Sequence, residues 1–249
     1  QIDVTPTTFE IGSPNQLIIY AVDKFGNVIN LTGDAALVFG GLGTSASGAV
    51  PTVTDKTGSA KNLGTATTVP FENGVNTAAG VLVATKAEGP VTLTAYLSGN
   101  LAISTGSAGG RGAVVTVTAG AAASYSVTSS SSSPTAGSTV TITAQAVDAN
   151  GNATPASGSV VTWSSTGTGG SFASPTSTTG ANGAATVVFT VSTTPGTVHT
   201  VTATTGSLTG TSGAITTDAD VDTDGDGYTN AQEIIAGTDP NNPASALRI

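Results

Sequence analysis

Cysteine and methionine are both absent from the 249 residues, so neither a disulfide nor a soft sulfur metal site can form. Charge is scarce as well. Charged residues make up only 8% of the chain, and from Gly112 to Thr217 the sole formally charged side chain is Asp148. A free monomer usually keeps about a quarter or more of its surface charged, so burial in an assembly or a coat of glycan is expected. The six basic residues, Lys24, Lys56, Lys61, Lys86, Arg111 and Arg248, form no cluster, which argues against nucleic acid or an anionic membrane as partner. No apolar run approaches the roughly 18 residues of a membrane helix, and no membrane insertion is expected. A helical period is missing from the first 216 residues. The start at Gln1 fits a chain whose signal peptide has been removed, and a trimmed boundary would look the same.

What is present is a repeat of short alternating strands. The segment from Leu17 to Asn27, which ends Ala21-Val22-Asp23-Lys24-Phe25-Gly26-Asn27, recurs from Ile142 to Asn152, which ends Ala146-Val147-Asp148-Ala149-Asn150-Gly151-Asn152. Downstream, Leu37-Val38-Phe39 answers Val161-Thr162-Trp163, and Val91 to Ala95 answers His199 to Ala203. Turn signals at Asn73-Gly74, Asn150-Gly151 and Asn182-Gly183 separate the strands. Strands spaced this way imply an all-β chain of two tandem β-sandwiches, over 1–118 and 119–216, followed by a distinct segment over 217–249. Alternation places Val140, Ile142, Ala144 and Ala146 in the second core. In the first repeat both faces are apolar: Leu17 and Ile19 on one, Ile18, Tyr20 and Val22 on the other. The outer face needs a cover, either the insertion in the 50s and 60s or another subunit.

The strongest chemical signal lies in the last segment. Asp222-Thr223-Asp224-Gly225-Asp226-Gly227-Tyr228-Thr229-Asn230-Ala231-Gln232-Glu233 has carboxylates at positions 1, 3 and 5, Gly at 6 and Glu at 12 of a twelve-residue calcium loop. Asp222, Asp224 and Asp226 can curl round one ion, Tyr228 can offer its carbonyl, Asn230 sits where a water-bridging ligand belongs, and Glu233 can close the shell. Hard oxygen donors favour Ca²⁺ over zinc or copper. The β-branched, Asp-rich stretch before the loop is a poor helix former, whereas Thr229 to Ala236 reads as one short helix stopped by Gly237.

From Asp218 through Gly237-Thr238-Asp239-Pro240 to Pro243 the chain resembles the bacterial thrombospondin type-3-like calcium repeat. That resemblance implies a second ion held by Asp218, Asp220 and Asp239. The repeats of residues 1 to 216 resemble tandem bacterial immunoglobulin-like domains of the invasin and intimin type, which implies two immunoglobulin-like sandwiches. An extracellular, cell-surface or secreted location follows from the resemblance and from a loop that fills at external calcium concentrations.

Other residues carry no catalysis in this reading. His199, the single histidine, falls on the core side of its strand and reads as a packed, hydrogen-bonded side chain, and Trp163 as core filling. Asp and Asn around Gly in the 23–27 and 148–152 loops are hairpin chemistry. Asn30-Leu31-Thr32 and Asn152-Ala153-Thr154 match the glycan acceptor pattern. With no Ser/His/Asp set, phosphate loop or paired-carboxylate cleft, the chain is expected not to be an enzyme. The preferred expectation is a structural subunit of a calcium-stabilised filament or surface layer that self-associates. The alternatives are an adhesin or ligand-binding surface protein, which calls for an exposed aromatic or polar patch on loop tips that the sequence does not clearly show, and a non-catalytic piece of a larger secreted enzyme.

Overall fold

The computed structural model describes residues 1–105, 111–218, 222–239 and 241–245, the side chains of 101–103 and 231 excepted. It is almost entirely β. The chain forms two compact units, one of Gln1–Ala121 with Asp148–Asn152, the other of Ala122–Val147 with Ala153–Ile249.

In the first unit one sheet runs in the order Ile2–Val4, Asn15–Ile19, Val81–Val83, Thr52–Thr54, Ala60–Asn62. The other runs Thr8–Glu10, Ala113–Thr118, Glu88–Leu97, Gly33–Gly40, Ala66–Glu72, Val75–Asn76, and Asn100–Ser104 also pairs with Glu88–Leu97. Leu17, Val53 and Leu82 from the first sheet meet Phe39, Val69 and Leu93 from the second in one core. Burying such side chains contributes about 1.5 to 3 kcal/mol each.

The doubly apolar segment continues past Ile19 in two bridges within its own unit. Tyr20 pairs with Val75 and Val22 with Val28, and both are half-buried. The insertion does not lie over this face; it adds Thr52–Thr54 and Ala60–Asn62 to the end of the first sheet. Only Ile18 is left exposed on the outer face.

The second unit is a sandwich of two four-stranded sheets, Ser124–Ser129, Thr139–Val147, Ala184–Thr190, Ser171–Phe172 and Thr176–Thr178, Val160–Ser165, Val201–Thr205, Leu208–Thr211. The expected alternation holds: Val140, Ile142, Ala144 and Ala146 are buried with Val161, Trp163 and Phe189, while Thr141 faces solvent. The architecture is two immunoglobulin-like sandwiches with a C-terminal calcium-type loop and one short helix, Asn230–Ala236.

His199 is fully buried and has the partners that its sequence did not reveal. Its Nε2 accepts the Ser192 N–H at 3.1 Å, its Nδ1 lies 2.9 Å from the Thr166 carbonyl, and the edge of Phe189 packs 5.2 Å away. Of the two glycan patterns, Asn30 is exposed, but Asn152 is buried with its amide bonded to both Asp148 oxygens. A transferase could not reach it in the folded chain.

Candidate metal centre

The approach to the loop is stitched to the second sandwich. Ile215–Thr216 pairs with Val198–His199, the Thr216 N–H donates to the Ser132 carbonyl at 2.8 Å, and the Asp218 N–H donates to the Pro134 carbonyl at 2.8 Å. The Thr217 hydroxyl donates to the Thr194 carbonyl at 2.8 Å and accepts the Thr197 N–H at 2.8 Å.

The loop itself is held by its own carboxylates. Asp222 Oδ1 accepts the Gly225 N–H at 2.8 Å and its Oδ2 the Gly227 N–H at 2.9 Å. Asp226 Oδ1 accepts the Tyr228 N–H at 2.9 Å. Gly227 sits at φ 96°, a left-handed conformation that a side chain would resist. The result brings one carboxylate oxygen from each of Asp222, Asp224 and Asp226 within 4.8 Å of one another.

The exit helix supplies the remaining acid. Thr229 caps it, its Oγ1 accepting the Gln232 N–H at 3.3 Å while the Gln232 side chain accepts the Thr229 N–H at 2.8 Å. This capping box, legible as Thr-x-x-Gln in the sequence, fixes the first turn and so aims Glu233 inward. Gly237 ends the helix in the left-handed conformation at φ 76°. Glu233 is 0% exposed, and neither of its carboxylate oxygens has a hydrogen-bond partner. Asp224 Oδ2 and Asp226 Oδ2 are buried and unpartnered as well. Burial, and then the negative Asp224, Asp226 and Asp222 beside it, push the Glu233 carboxyl above the usual carboxylate range.

Four bare, buried carboxylate oxygens on Asp224, Asp226 and Glu233 are unfavourable alone, because buried acceptors need a donor and like charges repel. A hard dication removes both penalties, and the donor set is all oxygen, so these residues fit Ca²⁺. Asn230 is tied to the second residue of the loop. Only 1% exposed, it accepts the Thr223 N–H at Oδ1 and donates to Thr223 Oγ1. Of the three residues expected at a second ion, Asp218 and Asp239 are described and Asp220 lies outside the described residues. Asp239 Oδ1 accepts the Asn241 N–H at 3.1 Å.

Residues 222–243 match the family of the bacterial TSP3 repeat, which makes this segment a calcium-type repeat appended to β-sandwiches. No curated protein matches the chain. Among solved structures, the D00-D0 domain of intimin is 17% identical over 87% of this chain and 98% of that one, with a TM-score of 0.41. An Escherichia coli adhesin, FdeC, is 20% identical over 87% and 63%, with a TM-score of 0.37. A glycosyl hydrolase family 2 member from Bacteroides cellulosilyticus is 15% identical over 68% and 21%, with a TM-score of 0.38. At these values none of them bears on what the chain does.

Proposed function

We propose that this is a calcium-stabilised, non-catalytic extracellular surface protein whose first sandwich carries an adhesive loop tip. The calcium part rests on the bare oxygens of Glu233, Asp224 and Asp226. The adhesive part rests on Phe25, which stands 77% exposed at the tip of the 23–27 loop, with Val28 at 50% and Ile29 at 45% beside it. Exposed aromatics on a rigid loop are the raw material of binding hot spots. The loop is rigid for a local reason: Asp23 Oδ1 accepts the N–H groups of Phe25, Gly26 and Asn27 at 2.8, 2.8 and 2.9 Å. The sole histidine is committed to Thr166 and Ser192, which supports a non-catalytic role.

The experiment is retention of the labelled protein on a panel of immobilised matrix proteins and glycans in millimolar calcium. Phe25→Ser is expected to abolish retention while leaving calcium binding intact. Retention by wild type and variant alike would remove the adhesive reading.

A second reading, self-association into a filament or layer, is favoured by the second sandwich. Its outer face lines up Thr176, Thr162, Thr204 and Thr209 across four paired strands, with Ser164, Thr202 and Thr211 in the next row. Asp148, the one charge in that part of the sequence, is buried. Such a face lacks the charge that keeps copies apart. Particle length by light scattering, with and without calcium, separates the two readings: a monomer under every condition leaves the adhesive one.

A further inference from the structure

The first sandwich contains a cleft of about 690 Å³ that the calcium loop does not use. It is lined by the 20–31 loop and the strands Gly33–Gly40 and Glu88–Leu97, with Ile19, Ala35, Leu37, Phe71 and Ala95 among its apolar residues. Small-molecule sites run from roughly 300 to 1,000 Å³ and combine mostly apolar walls with a few placed polar groups. This cleft has both attributes.

Its charged lining decides the chemistry. Asp23, Lys24, Asp34 and Arg111 all line the cleft. Asp23 is spent within its own loop, its Oδ2 taking the Asn27 amide at 3.0 Å in addition to the backbone donors on Oδ1, and these bonds hold its carboxyl below the usual range. Asp34 is ion-paired with Lys56. The two acids are therefore committed, whereas Lys24 has no carboxylate in ion-pair reach among the described residues and lies 4.9 Å above the Phe25 ring. Arg111 is held at the same loop, its Nη2 donating to the Lys24 carbonyl at 3.4 Å. Gly26 permits this approach, since a Cβ there would lie 2.6 Å from Arg111 Nη1. Two of the six basic side chains of a chain with net charge −9 thus line one apolar cleft.

We propose that this cleft binds a soluble amphipathic anion, with an apolar chain or ring system over Leu37 and Phe71 and a carboxylate or sulfonate against Lys24 and Arg111. Apolar burial supplies the affinity, and the cations select the sign of the head group. The site shares the 20–31 loop with the adhesive reading but does not depend on adhesion, so loss of surface retention with ligand binding intact would remove only that reading.

The test is a titration of the full chain in excess calcium with decanoate, followed by amide chemical shifts. Saturable shifts confined to residues 19–37, 71 and 95–97 are expected, with decyltrimethylammonium, of the same chain length, binding about tenfold more weakly or worse. Lys24→Glu, an exposed change, is expected to lower decanoate affinity by about tenfold, and Ala35→Trp to fill the cleft and abolish binding. If the tryptophan unfolds the domain, Lys24→Glu and the head-group comparison decide alone. No saturable shift at millimolar decanoate, equal affinity for the two head groups, or indifference to Lys24→Glu would overturn the proposal. So would cosedimentation with anionic phospholipid vesicles that decanoate does not compete away, which would assign the patch to a membrane surface.

Discussion

Asn230 and Thr223 are bound to each other twice: Oδ1 of Asn230 accepts the Thr223 N–H at 3.0 Å, and its Nδ2 donates to Thr223 Oγ1 at 2.7 Å. The pair closes the calcium-type loop on itself, tying its second residue to the first turn of the helix that carries Glu233. Replacing Asn230 by Ala removes both bonds and leaves a buried donor unsatisfied, which costs about 1 to 3 kcal/mol. Calcium affinity should fall by about tenfold or more, because part of the binding energy must then order the loop. Calorimetry on N230A against wild type measures it. An unchanged affinity would mean that the clamp is incidental.

Asp224→Ala should eliminate most of the calcium heat, because it removes an oxygen from the cluster of three. In wild type, calcium at about 100 times its dissociation constant should stabilise the loop segment by about 2.7 kcal/mol. Chelation with EDTA should accelerate amide exchange from Asp222 onward. It should spare Ile215 to Asp218, whose backbone bonds go to Ser132, Pro134 and the Val198–His199 strand. Equal acceleration on both sides of that boundary would refute this division.

Acid should act on the 55–59 loop in a defined window. The Thr57 hydroxyl first, and then the Thr57 and Ser59 N–H groups, hold the Asp55 carboxyl down at about 2 from an ordinary 3.8. A carboxyl depressed in the folded state contributes stability that is present above the unfolded value and is lost as pH falls through the folded one. Protection of the Thr57 and Ser59 amides should hold down to about pH 4 and be lost as pH falls through about 2. In Asp55→Asn that transition should be missing from an amide titration.

His199→Phe should destabilise the second sandwich by about 1 to 3 kcal/mol, because the Ser192 N–H loses its acceptor in the buried core. Urea unfolding followed at Trp163 reports it. Calcium heats should be unchanged, which distinguishes a core histidine from one that serves the metal loop.

Much of the architecture was legible because it is written in neighbouring residues. Alternation over Val140 to Ala146 set one core face, since successive strand side chains point to opposite sides. The calcium-type loop was legible for the same reason: three Asp, one Gly and one Glu at fixed offsets lie within a single turn of chain. The Thr229 to Gln232 capping box was equally local and open to the same reading.

The partners of isolated side chains were not legible, because they come from distant parts of the chain. Tyr20 and Val22 read as part of an apolar face, and their bridge partners, Val75 and Val28, could not be named from the pattern. His199 found its ligands at Thr166 and Ser192, across two loops. Asp23-Lys24-Phe25-Gly26-Asn27 and Asp148-Ala149-Asn150-Gly151-Asn152 share a motif and a hydrogen-bonded turn, with Asp148 Oδ1 accepting the Asn150 and Asn152 N–H groups as Asp23 does in its own loop. Yet Phe25 stands in solvent beside an apolar cleft, whereas Asp148 and Asn152 are buried. The turn depends on bonds within five residues and could be read from them. Exposure depends on what the remaining chain packs against those residues, and that is settled only when the sheets assemble.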